Sequence, residues 1–283
     1  MPTQVEKDSV TGTDTTGHEW DGIKELNTPL PRWWIIIFWV TVVWSGFYYV
    51  VYPTFPGWDG IWGYNSRKDI AAEMEAVQAD RAKWLDRLAA ASAEDIRKDG
   101  DLLEFAMAGG RAAFADNCAP CHGSGAAGGP GYPNLLDDDW LWGGTLDDIQ
   151  ATIAHGVRWA QDDEARMSQM PRFGVDQLLD ESQIGQVADY VLSLSGGAAA
   201  SGGGAEIFAE NCAACHGESG QGNTELGAPR LDDAIWLYGG DRDAVVETIT
   251  KARGGVMPAW GGRLDEVTVK QLAVYVHSLG GGQ

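Results

Sequence analysis

Cys118-Ala119-Pro120-Cys121-His122 and Cys212-Ala213-Ala214-Cys215-His216 are the two stretches that decide the fold of this chain. Each is a C-x-x-C-H pentapeptide, the signature of covalent c-type haem attachment. The spacing suits this chemistry because the two thiols form thioethers with the vinyl groups of haem, and the adjacent imidazole then lies beneath the iron. Chance does not explain two such pentapeptides in one chain. The sequence therefore predicts two covalently bound haems, each with its iron.

C-x-x-C pairs also occur in zinc sites and in redox-active disulfides. A zinc site needs further Cys or His ligands, but all four Cys lie in the pentapeptides and the other His are scattered at His18, His155 and His277. A thioredoxin-like disulfide sits at a strand-to-helix turn, whereas both pentapeptides lie among helical patterns and glycine-rich loops. Both alternatives are therefore disfavoured. Because haem consumes every Cys, the lack of disulfides does not indicate the cytoplasm.

The sequence around the pentapeptides is duplicated. Four landmarks recur in the same order in both copies: 110–118 with 204–212, 140–144 with 236–240, 170–174 with 257–261, and 188–194 with 273–279. A repeat of roughly 85 to 95 residues can hold one core. The sequence therefore predicts one domain at 104–195 and a second at 205–283, joined at 196–204 by a flexible linker of Gly, Ala and Ser.

Residues 33–52 carry no charged side chain. Twenty helical residues cross a hydrocarbon core of about 30 Å, and aromatic residues flank both ends, as is typical of membrane interfaces. A buried core helix would need apolar surroundings that the neighbouring sequence does not offer. A cleaved signal peptide would have a shorter apolar region and a small-residue cleavage site. The sequence therefore predicts a single transmembrane helix at 31–53.

The segments beside this helix differ in composition. Residues 1–30 are polar and acidic, which predicts a disordered cytoplasmic segment. Residues 54–103 are predicted to connect the membrane to the haem domains through an irregular aromatic stretch and one or two amphipathic helices. Bacteria attach haem covalently outside the cytoplasmic membrane, so we expect a single-pass inner-membrane protein with periplasmic haem domains.

The net charge of −21 at pH 7 excludes a nucleic-acid-binding protein, which needs a basic face. It is compatible with electrostatic attraction to a partner that has a positive docking surface. Acidity that only keeps an exported domain soluble explains the charge equally well.

The second axial ligand of each iron must come from far along the chain. Met257 is the only Met after Cys212, and Met170 shares its Met-Pro-x-aromatic-Gly context. Met167 and His155 are rivals for the first iron, and gap-filling in a core is the ordinary role of Met. His277 takes the place of Leu192 and is expected at the surface. With both axial positions filled, each haem would transfer electrons without binding substrate, so we expect no catalytic residue on this chain.

The order of helix, pentapeptide, long loop, helix, Met-Pro turn and helix over 104–283 resembles the class I cytochrome c fold. The expected fold class is all-α, with one transmembrane helix and two tandem class I cytochrome c domains. The run 18–34, with its Trp-Asp-Gly-Ile and Pro-Leu-Pro-Arg-Trp-Trp motifs, is more specific. Together with the two haem domains it resembles the di-haem subunit, CcoP or FixP, of the cbb-type oxidases, which are C-family haem-copper cytochrome c oxidases.

This resemblance implies an electron-transfer subunit of a respiratory oxidoreductase. Electrons would come from a soluble or membrane-anchored cytochrome c and pass through a mono-haem subunit to a catalytic haem-copper subunit, which reduces oxygen and pumps protons. Carried over by motif, the two ligand sets are Cys118, Cys121, His122 and Met170 for the first haem, and Cys212, Cys215, His216 and Met257 for the second.

Other functions remain open from the sequence. A membrane-anchored di-haem shuttle for another terminal reductase would share every motif of the haem domains. A di-haem peroxidase would need one iron open to peroxide, and a gas sensor would need an output domain. Some relatives have two membrane helices, so contacts made by a second helix are in doubt here.

Overall fold

The computed structural model describes residues 4–199 and 202–281. The chain divides into two compact units, Met1–Gln78 and Ala79–Gln283. Parts of three predicted segments lie outside the described residues: 1–3 of the N-terminal segment, 200 and 201 of the linker, and 282 and 283 of the second haem domain.

The first unit begins with a β-hairpin. Strands β1 (Thr15–Trp20) and β2 (Ile23–Leu26) pair antiparallel, with Trp20 opposite Ile23. The connecting residues Asp21 and Gly22 both have positive φ, 51° and 83°, as a type I′ hairpin turn requires. The prediction that residues 1–30 are disordered is therefore wrong for this part, because an Asp-Gly turn provides order that polar composition alone does not reveal.

Helix α1 (Arg32–Val51) is 20 residues long with a mean hydropathy of 1.8, so it is long and apolar enough to cross a membrane. Its side chains are exposed on every face within the unit, and Val51 is the one buried residue of the helix. A helix that is apolar all round requires an apolar environment. The helix ends where Tyr52 takes an extended conformation and Ile61 donates a backbone hydrogen bond to Val50, so the chain folds back over the helix end.

Helices α2 (Ser66–Ala90) and α3 (Ala93–Lys98) form the connecting segment. The apolar stripe predicted along this segment is buried only near the end of α2, where Leu88 is fully buried, whereas Met74 is 56% exposed. Nζ of Lys270 donates to the carbonyl oxygens of Leu88, Ala89 and Ala91 at 2.8–3.2 Å. A buried ammonium therefore satisfies carbonyl groups that the end of a helix otherwise leaves without partners.

The second unit is all-helical over its described residues. After α3 come α4 (Gly100–Asn117), α5 (Ala119–His122), α6 (Leu146–His155), α7 (Glu181–Leu194), α8 (Gly204–Asn211), α9 (Ala213–His216), α10 (Arg242–Lys251) and α11 (Glu266–His277). Side-chain N-caps begin corresponding helices in both copies. Thr145 and Asp241 cap α6 and α10, and Asp180 and Asp265 cap α7 and α11. The repeat therefore includes the start signals of its helices.

The C-terminal helices of the two copies are exchanged. Helix α4 packs against α11, and α7 packs against α8. The ring centroids of Phe114 and Tyr275 are 5.5 Å apart, and those of Tyr190 and Phe208 are 5.3 Å apart. Two separate domains at 104–195 and 205–283 would each pack their own first and last helices together, whereas each crossing here joins helices of different copies.

Duplication makes this exchange possible because both copies present the same contact residues. A Cβ atom on Gly110 would lie 2.6 Å from Cβ of Tyr275, and one on Gly204 would lie 2.9 Å from Cβ of Tyr190. Each crossing therefore needs glycine on one helix opposite tyrosine on the other. Helices α7 and α8 are separated only by 195–203, and a short connection costs little loop-closure entropy. For α8 the exchanged partner is therefore the nearer one along the chain, whereas for α4 it is the farther one.

Candidate haem-binding sites

Each pentapeptide forms a single helical turn after a longer helix. Cys118 and Cys212 end α4 and α8 and donate backbone hydrogen bonds to Phe114 and Phe208, both at 2.8 Å. These two thiols are half-buried, whereas those of Cys121 and Cys215 are exposed. Burial raises the pKa of Cys118 and Cys212 to about 11. In both sites, therefore, one thiol is inside and protonated at neutral pH, and the other faces solvent.

The two imidazoles are oriented by proline carbonyls. Nδ1 of His122 lies 3.0 Å from the oxygen of Pro133, and Nδ1 of His216 lies 2.9 Å from that of Pro229. An Nδ1–H group that donates to these oxygens leaves the Nε2 lone pair free for iron. Burial lowers the pKa of both His122 and His216. The neutral imidazole that binds iron is therefore the favoured form, and the donor set fits a c-type haem.

The loops that contain Pro133 and Pro229 are held close to the pentapeptides. The backbone N–H of Gly128 donates to the oxygen of His122 at 2.8 Å, and that of Gly222 donates to His216 at 2.8 Å. Gly128 has φ of +66°, and a Cβ there would lie 2.6 Å from the oxygen of Pro133. Only glycine fits this approach. The roles of Pro133 and Pro229 were not predicted from the sequence, although a proline follows each pentapeptide at a similar distance.

The structure places the two candidate axial methionines in the opposite pairing to that carried over from the sequence. Met257 packs against the core cluster that includes Phe114, with Cys118 at its edge. Met170 packs against the cluster that includes Phe208, with Cys212 at its edge. Each pentapeptide therefore has the partly buried methionine of the other copy packed against its core.

Backbone hydrogen bonds fix both methionine loops on the exchanged side. Gly261 donates to Ala154 on α6 at 2.9 Å, and Gly174 donates to Thr250 on α10 at 3.2 Å. These are corresponding residues of the two copies. The exchange therefore includes the methionine loops as well as α7 and α11.

The remaining candidates take other positions. Met167 is 67% exposed. Nδ1 of His155 lies 3.2 Å from Asp162 and 3.4 Å from Glu164, so this ring is engaged by carboxylates. His277 is only 6% exposed, which corrects the expectation of a surface residue. Its helix is buried on most faces because α11 contacts α3, α4 and α6 together.

An acidic cluster joins the loops that follow the two pentapeptides. Burial, together with the negative charges of Asp233 in the other copy and of Asp137, raises the pKa of Asp139 to about 6. Like charges in a partly buried place favour the protonated acid. This cluster therefore carries electrostatic strain at neutral pH.

Three family models match the chain in separate regions. Residues 12–59 match the N-terminal domain of cytochrome oxidase-cbb3, FixP; residues 107–195 match cytochrome c; and residues 199–276 match cytochrome c oxidase, cbb3-type, subunit III. The two cytochrome c matches and the helical architecture confirm the expected fold class of one apolar helix with two cytochrome c domains.

Full-length relatives are also similar. The chain is 54% identical to the cbb3-type cytochrome c oxidase subunit FixP of Bradyrhizobium sp. (strain ORS 278), with 100% of both chains covered. It is 53% identical to subunit CcoP of Cereibacter sphaeroides, with 95% of each chain covered. It is 52% identical to subunit CcoP of Azospirillum brasilense, with 99% of each chain covered.

Proposed function

Since this chain belongs to the FixP/CcoP family of cbb3-type cytochrome c oxidase subunits, we propose a route for the electrons that it transfers and a ligand set for each of its haems. It is the electron-transfer subunit of an oxidoreductase complex, and its cytochrome c domains carry covalently bound c-type haems. The haem iron supplies a one-electron change between ferrous and ferric states.

The proposed ligand sets cross between the copies. One haem would be held by Cys118, Cys121, His122 and Met257. The other would be held by Cys212, Cys215, His216 and Met170. The observation that carries this assignment is the packing of Met257 and Met170 against opposite pentapeptide cores. Axial thioethers raise the reduction potential relative to a second imidazole, which suits delivery of electrons towards oxygen.

The chain's own residues then have defined tasks. Pro133 and Pro229 hold the imidazoles in the tautomer that donates Nε2 to iron. The cores around the buried Phe114 and Phe208 would shield a bound haem from water. With His and Met ligands from this chain at both irons, the haems would supply electron transfer without substrate chemistry.

The proposal also covers the membrane topology of the chain and its electron donor and acceptor. Helix α1 anchors the chain in the bacterial inner membrane with the N terminus in the cytoplasm and the haem domains in the periplasm. A soluble or membrane-anchored cytochrome c donates electrons, and the net charge of −21 favours a donor with a positive docking surface. Electrons leave through a mono-haem subunit to the haem-copper subunit, which reduces oxygen to water and pumps protons.

Purification from solubilised membranes tests this proposal. We expect the chain to co-purify with haem b and copper, to hold two covalent low-spin haems, and to accept electrons from reduced cytochrome c. A chain without haem b or copper partners would instead be a shuttle for another reductase. A c-type haem that binds carbon monoxide in the untreated protein would favour a peroxidase and contradict the ligand sets.

A further inference from the structure

The first copy contains a segment that the second lacks. Arg166 and Arg253 are equivalent, because their guanidinium groups lie over the corresponding rings of Trp142 and Tyr238, 5.8 and 4.8 Å from the centroids. His155 and Lys251 are the last residues of the corresponding helices α6 and α10. Eleven positions separate His155 from Arg166, whereas two separate Lys251 from Arg253. Residues 157–165, here called the insertion, are therefore particular to the first copy.

The insertion pairs with the exchanged methionine loop. Val157 donates its backbone N–H to the oxygen of Met257, and Met257 donates to the oxygen of Val157, both at 3.0 Å. Arg158 donates its backbone N–H to Arg166 at 2.8 Å, which closes the insertion on itself. The backbone of one candidate axial ligand is therefore held by residues of the other copy.

The side chain of Arg158 contacts both methionine loops. Nε donates to the oxygen of Gly255 at 2.7 Å, and Nη1 donates to the oxygen of Ser168 at 3.2 Å. Gly255 lies two positions before Met257, and Ser168 lies two positions before Met170. One planar guanidinium with a fixed set of donors can hold two carbonyl groups at once, which a lysine ammonium on a flexible stem does less well.

The position of Arg158 strengthens these two bonds. The residue is partly buried, and its burial lowers the pKa of the guanidinium relative to its usual value. Hydrogen bonds from a cation are stronger than neutral ones, and reduced solvent access increases their electrostatic strength. Both carbonyls belong to loops rather than to helices, so they have no helical partner to replace Arg158.

We infer that Arg158 is a positioning residue that joins the distal loops of both haem sites and couples their stability. This inference rests on the proposed function, because it takes Met257 and Met170 as the axial ligands. Loss of the guanidinium loosens both loops at once, so either thioether leaves its iron more readily. No other side chain in the described part of the chain hydrogen-bonds to both Gly255 and Ser168.

Exchange of the axial ligand in the purified complex tests this inference. Imidazole is titrated against the ferric protein, and its binding to each c-type haem is followed by absorption together with the reduction potentials. In Arg158→Gln we expect imidazole to bind both c-type haems roughly tenfold more tightly than in the unaltered chain, the effect of one lost charged hydrogen bond. Arg242→Gln is the matched control, since its guanidinium hydrogen-bonds Asp189 and Gly185 instead.

A second variant separates charge from hydrogen bonding. Arg158→Lys keeps the positive charge but not the double contact, so we expect it to fall between the unaltered chain and Arg158→Gln at both haems. It also serves if Arg158→Gln fails to load haem. Unchanged ligand exchange in either variant, a change at one haem alone, or a Lys variant that behaves like the unaltered chain overturns the inference. If the unaltered complex lacks two methionine-ligated haems, the ligand proposal fails instead.

Discussion

The two haem-binding sites are built alike on the histidine side and differently on the methionine side. His122 and His216 are each oriented by a proline carbonyl at about the same distance. Met257 is paired with Val157 through two backbone hydrogen bonds, and among the described residues the backbone of Met170 has no corresponding pair. The attachment side is therefore the same in both copies, whereas a segment found only in the first copy supports the methionine proposed to complete its own pocket.

The largest expected effect comes from replacing one axial methionine. Met257→His should keep the haem attached but lower the potential of the haem at Cys118 and Cys121 by roughly 0.1 V or more, because axial ligands set haem potentials over a wide range. Met170→His should act on the other haem. The potentials are measured in chains that also carry alanine at both Cys of one pentapeptide, so that a single haem remains.

The alternative outcome is the one expected if each methionine serves the haem of its own copy. If Met257→His shifts the haem at Cys212 and Cys215 and leaves the other unchanged, the copies are not exchanged and the comparison between the sites no longer holds.

The second effect concerns the two helix crossings. Gly110→Ala should destabilise the α4–α11 crossing, and Gly204→Ala the α7–α8 crossing, each by about 1–3 kcal/mol, because an added Cβ collides with the facing helix. Urea unfolding monitored by circular dichroism measures the change. Gly262→Ala is the matched control, since nothing lies within 4 Å of a Cβ added there. Equal stability of all three variants would contradict the close crossings.

The third effect tests the backbone pair that distinguishes the two sites. Val157→Pro removes the N–H that donates to Met257 and should destabilise this loop by about 1 kcal/mol. Imidazole should then bind the haem at Cys118 more tightly, with the haem at Cys212 nearly unchanged. Val157→Ala keeps the N–H and is the control. A response of equal size in Val157→Ala would show that the side chain, and not the pair, supports the loop.

The smallest effect comes from the acidic cluster. Its raised pKa means that the stability contributed by protonated Asp139 is present below about pH 4 and lost as the pH rises through about 6. Asp139→Asn should therefore stabilise the second unit by about 1 kcal/mol at pH 7.5, after allowance for solvent screening, and by less at pH 4.5.

Urea unfolding at both pH values measures this difference. Glu218→Gln, at an exposed position outside the cluster, provides the control. A stabilisation of the same size at pH 4.5 would show that titration of Asp139 is not its cause.

The sequence predicted the features that depend on local chemistry. Spacing or composition reveals both pentapeptides, the apolar helix and the two Met-Pro turns. The structure forms helices at the pentapeptides and along the apolar segment, and loops at the Met-Pro turns. The Asp21-Gly22 turn was equally visible, but the polar composition around it favoured disorder. Local signals of turn geometry should therefore be weighed before average polarity.

The exchange of helices could not be predicted from the sequence. Gly110 and Gly204, and likewise Tyr190 and Tyr275, are the same residue types in corresponding positions, so either pairing satisfies the pattern. The burial of His277 was missed for a related reason. Its helix contacts elements that precede both copies, and a comparison of one copy with the other contains no information about them.

The hydrogen bonds from Lys270 to the end of α2, together with the packing of α4 against α11, have a consequence for biogenesis. Translation proceeds from the N terminus, yet the pocket around Cys118 is completed by a helix that ends at His277. The first attachment site to be synthesised therefore stays open until α11 has also been synthesised. Haem that is attached at Cys118 before that point would enter an incomplete pocket, which closes when α11 packs against α4.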